Sequence, residues 1–151
     1  MHKPKIALTI AGTDPSGGAG VMADLKSFHS CGVYGMAAIT SIIAQNTKGV
    51  QHIHNLETSW VQEQLDSVFN DELPHAIKTG MIATHETMEL IQHYLKQHSD
   101  IPYVIDPVML AKSGDSLMDD DTKKHLQNTL LPLADVVTPN IPEAEEITGI
   151  K

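Results

Sequence analysis

Short apolar runs alternate with longer amphipathic ones along the chain, and this alternation predicts an α/β fold with a mostly parallel sheet. Two further features agree. Apolar runs stop abruptly at Gly12, Gly80 and Asp106-Pro107, as strands do when they feed a turn. No internal repeat or low-complexity linker breaks the cycle. The 151 residues fit one domain of about 150, enough to bury a core without disulfides or metals.

The elements follow in order. Ile6 to Ala11 is a buried strand ending at Gly12, and Ala19 to Cys31 is a helix closed by Gly32. Met36 to Ala44 is small, β-branched and apolar, and reads as one strand; Val50 to Leu56 alternates less cleanly and reads as another. Thr58 or Ser59 caps a helix to Phe69, with Val61, Leu65, Val68 and Phe69 on one face. His75 to Thr79 is a short strand before Gly80. Thr84 caps a helix to His98 whose apolar residues are Met88, Ile91, Tyr94 and Leu95. Tyr103 to Ile105 is a strand, followed by a Gly/Ser/Asp-rich loop from Ala111 to Asp120. A helix from Thr122 to Leu131, a strand from Ala134 to Thr138, and a helix from Pro142 to Gly149 come next.

Composition excludes several functions. Lys plus Arg number 10 and Asp plus Glu 19, for a formal charge of −9. Duplex nucleic acid and anionic membranes both require a basic face. Every basic residue is a lysine, so no bidentate arginine clamp on phosphate is available. Cys31 stands alone, which excludes an internal disulfide and suits a reducing compartment. It reads as a packed thiol. No stretch approaches the roughly 18 apolar residues of a membrane span. The start, Met1 to Lys5 before a short apolar run, reads as a first strand and not a signal peptide. The cytoplasm is the expected location.

In parallel α/β sheets ligands sit beyond the carboxyl ends of the strands. That directs attention to Gly12 to Gly20, Gln45 to Thr47, Gly80-Met81, Asp106 to Gly114 and Thr138 to Glu143. The first is a Gly-rich strand–helix junction, but neither a P-loop nor a G-x-G-x-x-G fingerprint. A tight turn and a ligand loop fit it equally. Asp106 either opens a turn before Pro107 or serves a metal–phosphate site. Lys112 and Gly114 lie in a loop suited to a flap. Pro142, Asn140 and Glu143 suit a helix start, where the dipole favours an acid. Alternatively, Asn140 and Glu143, three apart, face a magnesium–phosphate group. Nine histidines, among them His52 and His54 on one strand face, have no zinc spacing and read as surface residues.

The segments ALTIAGTDPSGGAG (7–20), ADLKSF (23–28), AQNT (44–47), QLDSVFND (64–71), KTGM (78–81), DPVMLAKSGD (106–115) and LLPLADVVTPNIPEAEEITG (130–149) carry a resemblance. In this order they resemble the hydroxymethylpyrimidine/phosphomethylpyrimidine kinases of thiamine biosynthesis, members of the ribokinase-like superfamily. The resemblance implies a three-layer α/β/α sandwich. It also implies ATP-dependent phosphorylation of 4-amino-5-hydroxymethyl-2-methylpyrimidine and its monophosphate. Gly12, Asp24, Gln45, Met81 and Val108 then match the pyrimidine pocket. Asp106 matches a catalytic residue beside the phosphates, Asn140 the ATP site and Glu143 the Mg²⁺ site. The implied partners are a small pyrimidine and ATP, with neither nucleic acid nor membrane; a homodimer is left open. A pyridoxine/pyridoxal kinase of the same superfamily is the alternative enzyme. Ala44 to Thr47 favours the aminopyrimidine, because an amide both donates and accepts. A different class is a pyrimidine-binding module without transfer activity.

Family members continue past the position of Lys151, so residues 1–151 are expected to be the N-terminal part of one kinase domain, truncated at the C-terminus. An exposed sheet edge or apolar face is then expected. A second Gly-rich loop, carrying anion-hole N–H donors and the general base, would lie beyond this chain. Loss of one such donor typically costs about 10²–10³ in rate. The chain alone is therefore expected not to phosphorylate hydroxymethylpyrimidine. A coupled assay on purified chain checks this; product that scales with protein and disappears in Asp106→Asn would show that these residues suffice.

Overall fold

A computed structural model describes residues 3–109 and 116–150. The elements are β1 (Ile6–Ala11), α1 (Gly20–Ser30), β2 (Tyr34–Ile39), β3 (Ser41–Asn46), β4 (Gly49–Asn55), α2 (Thr58–Phe69), β5 (Ala76–Thr79), α3 (His85–Gln97), β6 (Tyr103–Ile105), α4 (Asp120–Thr129), β7 (Val136–Val137) and α5 (Ile141–Thr148). The main sheet is parallel throughout, in the order β2-β1-β5-β6-β7, and β3 with β4 forms a separate antiparallel hairpin.

Side-chain alternation on the sheet builds the layers. Leu8, Ile10, Ile77, Tyr103 and Ile105 share one face and join Val61 and Leu65 of α2, Met88 and Ile91 of α3, and Leu126 of α4 in one buried cluster. Each such side chain contributes about 1.5–3 kcal/mol on burial. Thr9 and Lys78, which pair in register, lie on the other face under α1. Helices on both faces of the sheet make the three-layer arrangement. The anticipated uncovered edge is β7, where Val136 and Val137 are exposed.

The anticipated single strand from Met36 to Ala44 is instead two strands in two sheets. Thr40 makes the break: its N–H donates to Ala11 O at 3.0 Å and its hydroxyl to Met81 O at 2.8 Å. Just before it, the Gln64 side chain accepts from Ile39 N at 2.8 Å and donates to Ile39 O at 3.0 Å. An α2 amide thus closes the end of an edge strand that is otherwise open to further pairing.

Several boundaries also differ. The fourth helix starts at Asp120, because Asp119 caps it by accepting from Thr122 N at 2.8 Å. The Leu131–Leu133 segment is a 3-10 turn, and Asp135 binds both backbone groups of Tyr103, so only Val136–Val137 remains of the anticipated last strand. The second helix has no side-chain cap; the Thr58 hydroxyl bonds Thr87 instead. Thr84 caps α3 as anticipated. Cys31 is exposed and not packed, because it sits past the last turn of a helix whose one fully buried residue is Val21. Lys112 and Gly114 lie outside the described residues.

The Gly12–Gly20 loop has one position where no side chain fits. Gly20 has φ +58°, and a Cβ there would lie 2.3 Å from Gly12 O. That carbonyl already accepts from Val21 N at 3.0 Å. Gly20→Ala combines a left-handed penalty of about 1–2 kcal/mol with this clash. Urea denaturation should show a loss above about 2 kcal/mol, and an unchanged midpoint would mean that the loop relaxes freely.

Candidate active site

The strand order reverses at β1, which has β2 on one side and β5 on the other. A crevice opens at such a switch point, beyond the strand carboxyl ends. Here it is a cleft of about 710 Å³, and Gly12, Asp24, Gln45, Met81, Asp106, Val108, Asn140 and Glu143 all line it. Gly12 and Gly80 follow the two strands that flank the reversal. Met81 is buried and held through its carbonyl by Thr40. The hairpin brings Gln45 over the cleft. Between the pairs Ala44↔His52 and Gln45↔Val50 the register skips one residue, and such irregularities re-aim side chains beside active sites.

The loop after β1 is organised by Asp14. Its carboxylate accepts from Ser16 N at 2.9 Å, Ser16 Oγ at 2.7 Å and Gly18 N at 3.0 Å. Burial works against its charge, but these bonds and one from Gln45 outweigh it and hold the carboxyl below its ordinary range. Turn and ligand loop are thus compatible in one structure: Asp14 makes the turn, and the turn lines the cleft.

Asp24 faces inward from α1. It accepts from Thr9 Oγ1 at 2.6 Å and from Lys78 Nζ through both oxygens, at 3.1 and 2.9 Å. The same ammonium lies 3.6 Å from Asp106 Oδ2. Asp106 closes β6, and Val108 N donates to its carbonyl at 2.8 Å, so the turn-initiating role is real. Its carboxylate nonetheless reaches the cleft. Burial raises its pKa most, Lys78 opposes this, and the negative charges of Glu143 and Asp24 add to the rise.

Asn140 and Glu143 form a capping box at the start of α5. Asn140 Oδ1 accepts from Glu143 N at 2.9 Å, and Glu143 Oε2 accepts from Asn140 N at 3.0 Å. Glu143 Oε1 accepts from Met109 N at 3.3 Å, and the residue is only 4% exposed. The helix-start account is therefore satisfied in full, and it also fixes an acid at the cleft wall beside Asp106. Asp106 and Glu143 offer hard oxygen donors, and their mutual repulsion is what a divalent cation relieves. Their chemistry fits Mg²⁺.

Lys78 and Asp14 belong to the cleft and escaped the residue-level reading. A lysine inside the short strand Ala76–Thr79 was the available signal, since lysine is rarely buried unpaired. Asp14 had no such signal, because Asp-Pro-Ser-Gly reads first as a turn.

Residues 14–151 match the family model described as phosphomethylpyrimidine kinase. The chain belongs to the phosphomethylpyrimidine kinase family. It is 83% identical over 150 residues to a hydroxymethylpyrimidine/phosphomethylpyrimidine kinase of Staphylococcus aureus, covering 99% of this chain and 54% of that protein. The crystal structure of phosphomethylpyrimidine kinase from Clostridium difficile superposes with a TM-score of 0.90 at 50% identity, covering 97% of this chain and 64% of that one. A Staphylococcus aureus pyridoxal kinase, solved with AMP-PCP and pyridoxal, gives 0.84 at 34% identity, covering 99% and 53%. The chain spans about half the length of the curated relatives it matches. The ribokinase-like fold anticipated above is that of these kinases. No helix among the described residues is long and apolar enough to cross a membrane.

The raised Asp106 pKa has a stability consequence. The folded state holds this proton more tightly than the unfolded chain does. The favourable contribution is therefore present below 3.8, the ordinary carboxylate value, and is lost as pH rises through the raised one. Asp106→Asn should melt with the parent in acid and increasingly above it toward neutral pH. Parallel melting curves across the pH range would show that Asp106 carries no such strain.

Proposed function

We propose that this chain supplies the pyrimidine- and phosphate-facing part of an ATP-dependent kinase. It acts on 4-amino-5-hydroxymethyl-2-methylpyrimidine and then on the monophosphate, in thiamine biosynthesis. The observation that carries the reading is one cleft lined by two chemically distinct groups of residues. One group combines an amide, Gln45, with the apolar Met81 and Val108; the other combines Asp106, Asn140 and Glu143. A flat heteroaromatic ring suits apolar walls with a few placed polar groups. The Gln45 amide serves the polar edge of the ring, and Gly12 lines the same cleft. Asp24 belongs with the first group, held by Thr9 and Lys78.

The hydroxymethyl group then points toward Asp106, where the phosphoryl group is received. Asp106 and Glu143 would hold Mg²⁺, which supplies charge screening for the phosphates when bound. The chain's own contribution is positioning. The capping box orders Glu143, Asn140 presents its amide N–H₂ group toward ATP, and Lys78 balances the carboxylates. Phosphoryl transfer draws mainly on such positioning and electrostatics. A structural relative with AMP-PCP and pyridoxal supports nucleotide use by this fold. The place of work is the cytoplasm, where an exposed lone thiol such as Cys31 stays reduced.

Calorimetry on a full-length protein bearing this sequence tests the reading. The aminopyrimidine should bind, and more tightly than pyridoxal. Gln45→Ala should weaken it by about 1–3 kcal/mol, because polar ligand atoms lose their partner in a desolvated site. Equal affinity in parent and variant would remove Gln45 from the site, and tighter binding of pyridoxal would favour the other kinase class.

A further inference from the structure

Two carboxylates of the cleft share one cation. Lys78 Nζ binds both oxygens of Asp24, at 3.1 and 2.9 Å, and lies 3.6 Å from Asp106 Oδ2. The sheet fixes this arrangement. Lys78 sits in register between Thr9 on β1 and Val104 on β6. Thr9 holds Asp24 from below at 2.6 Å, and Asp106 is the residue that follows β6. The lysine side chain is 19% exposed and that of Asp24 17%, so water competes little for either. Lys48 is the other lysine among the described residues that line the cleft. The sequence has no arginine to substitute.

We propose that Lys78 is a positioning residue that couples pyrimidine binding to magnesium–nucleotide binding, by dividing one ammonium between Asp24 and Asp106. This rests on the kinase reading above. With the phosphate end empty, Asp106 draws part of the Lys78 charge away from Asp24. A divalent cation placed against Asp106 neutralises that carboxylate and repels the ammonium. Lys78 then gives its full charge to Asp24, which firms the acid at the pyrimidine end. Each ligand therefore tightens the other, and by thermodynamic linkage the factor is the same in both directions. The lysine touches neither reacting atom, and its effect on both subsites runs through the two carboxylates.

The test measures the affinity of 4-amino-5-hydroxymethyl-2-methylpyrimidine by calorimetry, with and without saturating Mg²⁺ and a non-hydrolysable ATP analogue, in a full-length protein bearing this sequence. In the parent the pyrimidine should bind about 5–150-fold more tightly with the nucleotide present, the usual range of such coupling. Lys78→Met should bind it more weakly without nucleotide and lose the enhancement, and Lys78→Arg should restore part of both. Asp106→Asn leaves the Asp24–Lys78 pair intact. Without nucleotide it should bind the pyrimidine as tightly as the loaded parent, and the nucleotide should add nothing. This arm decides the matter even when the Lys78 variants fail to fold. A merely structural lysine would alter stability and leave the enhancement unchanged. An enhancement that survives in Lys78→Met or in Asp106→Asn overturns the coupling while leaving the kinase reading intact. A parent that binds no pyrimidine overturns both.

Discussion

Four carboxylates, from Asp14, Asp24, Asp106 and Glu143, line one cleft in a chain without arginine, and their repulsion must be balanced. Lys78 does part of this, with its ammonium against Asp24 and near Asp106. Backbone N–H groups do much of the rest, since those of Ser16 and Gly18 bind the Asp14 carboxylate and those of Met109 and Asn140 bind that of Glu143. A buried acid is tolerated only when it is paired or hydrogen-bonded. The residues that satisfy these acids therefore also fix where they point. The surplus negative charge that remains is directed at the place where a cation and phosphates would meet.

The strand order makes this concentration of charge achievable. Because β2 and β5 flank β1, the loops after β1 and β5 diverge and leave space between them. Thr40 extends the effect. It ties the end of β2 to both Ala11 and Met81, and so sends the chain out of the main sheet into the hairpin that carries Gln45. One threonine thus links the walls of the cleft to its cover. The Asp14 turn occupies the remaining side, and Gly20 brings the start of α1 close to the Gly12 carbonyl.

Stability and chemistry are in tension at Asp106. Its burial and its acidic neighbours disfavour the charged form, while the proposed place of Asp106 beside Mg²⁺ and phosphate requires that form. Active sites commonly retain such local cost, and the surrounding fold absorbs it. Here the apolar cluster on the opposite face of the sheet supplies the compensation, since Ile105, the residue before Asp106, is fully buried in it.

Much of this protein was legible along the chain. The alternation of Ile6–Ala11, Ala76–Thr79 and Tyr103–Ile105 with amphipathic helices announced a parallel sheet, because period and run length follow from local geometry. The Asn140–Glu143 helix start was readable for the same reason, since it spans only four residues. The eight residues expected at the site do share one cleft, since strand ends in this fold class converge. Other features depend on partners far away in sequence. The break at Thr40 comes from bonds to Ala11 and Met81, which local propensity cannot register. Cys31 falls on the solvent side because α1 buries little beyond Val21. Lys78 acquires its role only when Asp24, 54 residues away, and Asp106 are folded against it. Chain order specifies which residues end a strand, and packing specifies which charges then share a neighbour.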